Sequence, residues 1–463
     1  MATSPAGHTV LYGSGLTGEI DKILKDVWEP MMQRLFTNET GFLQAFKRYS
    51  KMPDVGGRKW NVKLHIRPGQ GIGSRSERLS TGAIVTTTGT DLPTPVPQTV
   101  DDCYVRPTWH YWAVSFTGQA LKVAKGDPYS FAKTQTWEMS EVFNEFMYDF
   151  NRQLLGNGSG IIAKSVTTAA SEGLSEAKWH NAGTAGYEWY VELQDVKQMR
   201  PGAYYAIYCY SGTAAVYKET AQCTNIDLDN NYAYFILAAD AAVDDSGTTT
   251  NYLFTRAGNG LSSTTSAGVL ITPTGSGGAF VSNEMMGIAG VCDDGTEFAN
   301  FQNLSRATYP ELKGVVQRAV GELTPLKLKK LFDNVSLRTG KRPDACIVGQ
   351  GVDRAVFAVL EPYRRFVGPE VVFGYDTVPI IIDGKKIQWM VEPQLAAGQL
   401  LAPKWDTMEY WQIADPAWAD DDGKILRKAP ENSDLWNAFG RFFGNLVCLN
   451  PMGNARMEGI SEA

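Results

Sequence analysis

The chain has 463 residues, 43% of them apolar and 20% charged, and carries a net charge of −7. That length suffices for two or three domains with buried cores, and the composition excludes a disordered chain. The acidic balance argues against a protein whose main task is to grip DNA or RNA, because such proteins carry a basic excess.

Ile20, Ile23, Leu24, Val27, Met31 and Leu35 fall at helical spacing, with Pro30 placed to end or kink that helix. A second short helix is expected from Phe42 to Tyr49. In KWNVKLHIR, the residues Trp60, Val62, Leu64 and Ile66 alternate with polar ones, the pattern of a strand. The glycine-rich, basic loop RPGQGIGSRSERLSTG follows, and Pro93, Pro95 and Pro97 then enforce extended backbone. CYVRPTWHYWAVSFTG is again strand-like, so two long strands flank an excursion of about sixty residues. An excursion that long is expected to have a function of its own.

The strongest helix signal runs from Pro128 to Leu155. Asp127 suits the N-cap, Met139, Val142, Phe143, Phe146, Phe150 and Leu154 form one apolar stripe, and Gly156 suits the end. Such a helix spans about 42 Å. From Lys164 to Asn283 the chain is rich in Ala, Gly, Ser, Thr and Tyr, and runs such as AYYAIYCY and AYFILAA read as short strands. This is expected to be an inserted β-rich domain, a small barrel. Beyond MMGIAGV, the stretch Tyr309 to Phe332 reads as one or two helices, DACIVG as a buried strand and VDRAVFAVL as a helix. PIIIDGKKIQWMV reads as a hairpin about Asp383-Gly384, and WNAFGRFFGNLVCLNP as a final strand.

Signals for chemistry are weak. After Gly69 and Gly71, the third glycine position of a dinucleotide fingerprint is Ser74, extended chain follows where a helix should start, and no P-loop occurs. His8, His65, His110 and His180 lie in unrelated contexts, those at 65 and 110 reading as structural strand histidines. Cys103, Cys209, Cys223, Cys292, Cys346 and Cys448 form no C-x-x-C pair and read as buried free thiols. The acidic groups Asp101-Asp102, Asp244-Asp245, Asp293-Asp294 and Asp420-Asp421-Asp422 sit near glycines and read as solvated turn charges. Trp109, Tyr111 and Trp112 on one strand suit core, interface or carbohydrate packing. No constellation supports an enzyme, a cofactor or a metal. No signal peptide precedes the first helix, and no apolar run approaches the length of a membrane span.

The order of these parts resembles the major capsid proteins of tailed double-stranded-DNA bacteriophages, with the Hong Kong ninety-seven-type capsid fold. FNRQLLGNGSG is similar to that family's spine-helix terminus and MMGIAGV to the glycine-containing strand that follows. RTGKRPDACIVGQGVDRAVFAVL is similar to the strand–helix pair of the axial domain, and NLVCLNPMGNARMEGI to the closing peripheral-domain strand. The resemblance implies an α+β fold with an N-terminal arm over 1–50, an extended loop over 51–112 and a peripheral domain with spine helix over 113–163. The inserted β-rich domain would cover 164–284, the axial domain with adjoining peripheral segments 285–430, and the closing strand 431–463.

It also implies hexamers and pentamers in an icosahedral head assembled in a host cytoplasm. The partners would be a separate scaffolding protein, a portal protein, a decoration protein on the insertion, and packaged double-stranded DNA held by weak non-specific contact. About eighteen residues precede the first helix, so a fused scaffold is not expected. The candidate contacts to a neighbouring subunit are Arg67, Arg75, Glu77 and Arg78 in the loop. No lysine lies between Arg67 and Gly82, so no lysine–asparagine crosslink is expected at the tip. A carbohydrate-binding or carbohydrate-active β protein, or another virion subunit such as a tail tube, are the alternative readings.

Overall fold

The computed structural model describes residues 42–43, 46–47, 50–51, 53–69, 97–119, 134–166, 179–181, 188–210, 215–237, 251–257, 261–262, 269–271, 280–282, 284–360, 381–382, 385–420, 424–428 and 434–462. The expected first helix, the loop tip, the Asp127 cap and the Asp383-Gly384 turn lie outside these residues. The chain divides into two compact units, one of Met1–Glu39, Ala113–Asn144 and Asp420–Ala438, the other of Thr40–Trp112, Glu145–Ala419 and Phe439–Ala463.

Strand β1 (Trp60–Arg67) pairs antiparallel with β2 (Thr99–Val105) from Trp60 opposite Val105 to Arg67 opposite Thr99. The alternation read in KWNVKLHIR is real, since Trp60, Val62 and Leu64 are buried while Asn61, Lys63 and His65 are exposed. β3 (Thr108–Thr117) leads toward helix α1 (Thr134–Leu155), whose 22 described residues span about 33 Å. The helix ends at Gly156, where the sequence places its stop, and the Gly156 N–H donates to the Arg152 carbonyl at 2.9 Å.

Among its described residues, the segment 164–284 forms strands and turns with no helix. Strands β4 (Ala163–Lys164), β5 (Trp179–Asn181), β6 (Glu188–Glu192), β7 (Tyr204–Tyr210), β8 (Ala215–Asp227), β9 (Tyr232–Ile236) and β10 (Asn251–Arg256) form an antiparallel sheet in the order β4-β10-β7-β8-β9-β6-β5. The sheet curls back on itself: Val166 N–H donates to the Glu192 carbonyl at 3.0 Å and Gln194 N–H to the Lys164 carbonyl at 2.8 Å, joining β4 to β6. Ile207, Cys223, Ala233, Phe235 and Phe254 fill its interior. The expected small barrel is therefore present, and closure removes all but short strand edges. Strands β11 (Leu261–Ser262), β12 (Val269–Ile271) and β13 (Phe280–Ser282) make a separate three-stranded sheet.

MMGIAGV is not a strand. It contains the helical turn α2 (Ile288–Val291), because Gly287 and Gly290 let the backbone press against the end of α1. A Cβ at Gly287 would overlap the carbonyls of Gln153, Leu154 and Gly156. A small hairpin follows, β14 (Asn300–Phe301) with β15 (Leu304–Ser305).

The stretch Tyr309 to Phe332 also departs from expectation. It holds one 3-10 turn at Pro310–Leu312, strand β16 (Val315–Gln317), and a helix α3 (Pro325–Thr339) that starts only at Pro325. Gly314 and Gly321 break the earlier pattern, and the β-branched Val315 and Val316 go to a sheet. Thr324 caps α3 by accepting from the Lys327 N–H, and Gly340 closes it in the left-handed region at φ 67°.

β17 (Ala345–Val348), α4 (Gln350–Leu360) and the hairpin β18 (Ile381–Ile382) with β19 (Lys385–Lys386) appear as read. With β20 (Gln388–Val391) and β21 (Leu400–Ala402) they lead into a mixed five-stranded sheet, ordered β16-β25-β21-β17-β20. Its last member, β25 (Ala455–Met457), comes from the end of the chain. Leu331, Phe332, Val335, Cys346 and Val348 lie in the core beneath α3. β22 (Met408–Trp418), β23 (Arg427–Lys428) and β24 (Leu435–Cys448) make the remaining sheet, with β3 also pairing β24. The closing segment thus splits in two: β24 stays here, and the 3-10 turn Pro451–Gly453 redirects the chain so that β25 joins the other sheet.

Candidate functional site

The base of the long excursion is fastened to its own chain. Arg67, the last residue of β1, places Nε 2.6 Å from Glu311 Oε1, and its Nη2 donates to the Thr308 carbonyl at 3.4 Å. Beside it the Tyr309 hydroxyl donates to Asp101 Oδ2 at 2.7 Å. The hydrogen bond from Arg67 holds the Glu311 carboxyl below its ordinary range. Lys59 Nζ sits 3.7 Å over the Tyr104 ring and further ties the paired strands together. Of the four contact residues picked from sequence, Arg67 is described and pairs with Glu311; Arg75, Glu77 and Arg78 lie outside the described residues.

β3 presents two chemically different faces. Trp109 is 57% exposed and Tyr111 61%, and both stack edge-on against Phe443 of β24, with ring centroids 4.4 and 5.8 Å away. Such a group of exposed aromatics is the composition of an interface core. The alternate residues His110 and Trp112 are buried against α1 and β24: Trp112 stacks on Phe146 at 4.3 Å, and His110 lies among Phe146, Phe150 and Phe442. Burial lowers the His110 pKa to about 4, against the opposing pull of Asp149. Its Nε2 has no hydrogen-bond partner among the described residues.

Two ionic networks tie distant parts of the chain together. At the end of α1, Arg152 Nη2 lies 2.5 Å from Glu284 and its Nε 3.1 Å from Asp149. Arg256 of the barrel reaches Asp149 and Glu145, and Arg200 reaches Glu145 while its guanidinium lies 3.3 Å over the Tyr148 ring. Burial pushes the Asp149 carboxyl up, but Arg152 and Arg256 outweigh it and hold it at about 2. Asn151 donates to Gln394, so the helix is also tied to the segment after β20.

The second network corrects the reading of Asp293-Asp294 as solvated charges. Asp293 is fully buried and receives Arg306 at 3.2 Å and Arg456 at 3.2 Å, both arginines themselves buried. Arg306 also donates to the carbonyls of Gly290, Val291, Phe298 and Leu312. Arg456 reaches Glu297 and Glu458 as well. Asp294 is gripped by Arg318 through both oxygens, at 2.5 and 2.8 Å. The sequence offered one signal for this cluster, charged residues set directly against apolar runs in GIAGVCDD and GNARME.

Cys103, Cys223, Cys292, Cys346 and Cys448 are free and buried, and burial raises Cys103 to about 11 and Cys223, Cys292 and Cys448 to about 12, far from a reactive thiolate. Among the described residues no group of three His, Cys, Asp or Glu could hold a metal ion, and no helix is long and apolar enough to cross a membrane. An open cavity of about 470 Å³ lies between α3 and β16, lined by Asp294, Lys313, Gly314, Val315, Val316, Asn334, Leu337 and Arg338.

No protein-family model and no curated protein sequence matches this chain. Solved structures do. The chain is similar to a subunit of the cyanophage A-1(L) capsid asymmetric unit, at 10% identity and TM-score 0.50, over 95% of this chain and 98% of that one. It is similar at 6% identity and TM-score 0.47 to a capsid chain of a native GTA particle, over 97% and 100% of the two chains. A chain of the holo-SrpI encapsulin complex from Synechococcus elongatus matches at 8% identity and TM-score 0.42, over 96% and 95%. The cyanophage likeness covers nearly the whole of both chains, and the chain has the tailed-phage major capsid fold.

Proposed function

We propose that this chain is the major capsid protein of a phage head, a structural and non-enzymatic subunit that assembles into hexamers and pentamers around double-stranded DNA. The observation that carries this is the end-to-end fold likeness to a cyanophage capsid subunit, over 95% of this chain and 98% of the other. The physical chemistry supports it. The excursion is anchored at its base by Arg67 and leaves Arg75, Glu77 and Arg78 to reach carboxylates or amines on a neighbour. Trp109 and Tyr111 expose aromatic area that a monomer has no use for. A net charge of −7 lets a shell enclose DNA without holding it tightly. Assembly in a host cytoplasm with a separate scaffolding protein and a portal, and a barrel on the outer surface facing neighbours or a decoration protein, complete the reading.

Electron microscopy of the purified protein, and of the lysate in which it is expressed, tests it. Closed shells of capsid size are expected. Stable monomers, or open tubes under every assembly condition, overturn it.

A further inference from the structure

β25 is an inner strand whose neighbours both precede it by long stretches of chain. It joins β16 in parallel, with Ala455 opposite Val315, and β21 antiparallel, with Ala455 opposite Ala402. Those partners lie 140 and 53 positions earlier. Without β25 the five-stranded sheet falls apart into β16 on one side and β21-β17-β20 on the other, each with an open edge. Open edges of that kind are sites of mispairing.

The slot between β16 and β21 is shaped to the segment 454–462. Val315 N–H donates to the Asn454 carbonyl at 3.2 Å, and Glu458 N–H to the Gln317 carbonyl at 2.9 Å. Gly321 N–H donates to the Gly459 carbonyl at 2.8 Å, and Ile460 N–H to the Gly398 carbonyl at 3.0 Å. Gly398 is in the left-handed region at φ 64°, and a Cβ there would stand 2.8 Å from the Ile460 carbonyl oxygen. Ala455, Met457 and Ile460 are buried in the core that holds Leu331 and Phe332. Arg456 brings the second buried guanidinium to Asp293, from 163 positions away. Glu462 takes Lys197, which lies between β6 and β7, at 2.7 Å, and the Gly398 N–H at 2.8 Å. One short segment thus completes the sheet, the buried charge cluster and a tie to the stretch that carries the barrel.

The barrel itself needs none of it. β4 through β10 lie within residues 163–256, and β7 pairs with β8 and β8 with β9 across short connections. Closing short loops costs less chain entropy than joining residues 140 positions apart, and local pairings form faster.

We propose that 454–462 is a strap that closes after the barrel has formed, completing the five-stranded sheet and the Asp293 cluster together as it enters the slot between β16 and β21. The strap separates a chain that has only its barrel from a finished subunit, and this holds whether or not the subunit builds a shell.

Pulse-labelling hydrogen exchange during refolding of the full chain from denaturant, read by mass spectrometry of peptic fragments, tests the order. Fragments covering β7, β8 and β9 are expected to gain protection first, and those covering β16, β21 and β25 together, about tenfold more slowly. Any other order, including one rate for all fragments or protection of β16 and β21 ahead of β25, overturns the proposal. A second measurement uses Ile460→Ala, which removes a buried anchor of the strap and leaves β16 and β21 intact. In the folded variant, exchange at β16, β21 and β25 is expected to rise about tenfold with the barrel unchanged. No rise, or a rise shared equally by the barrel, overturns it, and the refolding measurement on the unmodified chain decides alone if the variant does not fold.

Discussion

Arg456 places Nη2 3.2 Å from an oxygen of Asp293, with both side chains shut away from solvent. Arg306 reaches the same carboxylate from the other side, also at 3.2 Å. A carboxylate shared by two buried guanidiniums is costly to remove, because both cations then remain in a low-dielectric interior without their counter-ion. Asp293→Ala is expected to destabilise the subunit by about 3–5 kcal/mol, read from chemical unfolding monitored by tryptophan fluorescence. A loss within the scatter of surface substitutions would mean the network is not formed.

His110 makes stability depend on pH. Burial lowers its pKa from 6.5 to about 4 in the folded chain, so between those values the unfolded chain binds the extra proton. This contribution is fully present above pH 6.5 and is lost as pH falls toward 4, an effect of about 3 kcal/mol. Replacing the imidazole by an apolar group, His110→Leu, is expected to shrink the drop in melting temperature between pH 7 and pH 5. An unchanged drop would show that other groups govern the acid limb.

Gly440 lies where β24 passes under Trp112, and a Cβ there would overlap the indole ring. Trp112 cannot swing aside, since Phe146 stacks on it at 4.3 Å and Trp418 meets its edge at 5.8 Å. Gly440→Ala is expected to cost about 1–3 kcal/mol, the usual penalty of overpacking, measured by thermal unfolding. Retained stability would indicate that the sheet relaxes away from α1.

Charge reversal at Arg75 and Arg78 is expected to impair assembly or lower the resistance of particles to urea and heat, while the isolated subunit melts as before. Particles of unchanged resistance would remove these residues from the interface. Because no lysine lies between Arg67 and Gly82, denaturing gels of mature particles are expected to show no covalent ladder from the loop tip.

Much of the architecture was legible along the chain. The alternation in KWNVKLHIR, the apolar stripe ending at Gly156, the buried run DACIVG and the β-rich insertion each set a local period that the structure keeps. MMGIAGV and Tyr309 to Phe332 were misread for the same reason: a few apolar residues between glycines or prolines fit a turn, a strand or a helix equally well. What decided them was the partner. Gly287 packs against the carbonyls at the end of α1, and Val315 lies opposite Ala455, a residue 140 positions further along.

The contacts of the candidate site were legible only in part. Arg67 stood out as a basic residue at the mouth of a loop, but its partner Glu311 is 244 residues away and nothing local points to it. Asp293 looked like any aspartate beside a glycine turn, and only the arrival of Arg306 and Arg456 makes it a buried anion.

By itself the sequence determined the order of the elements, the acidic charge, the length of the excursion and the absence of a recognisable catalytic motif, since these depend on composition and short-range spacing. Only the tertiary structure decided which charges are buried and paired and which face of β3 is left exposed. Those properties come from residues hundreds of positions apart meeting in space, and burial, unlike periodicity, is not a property of a stretch of chain.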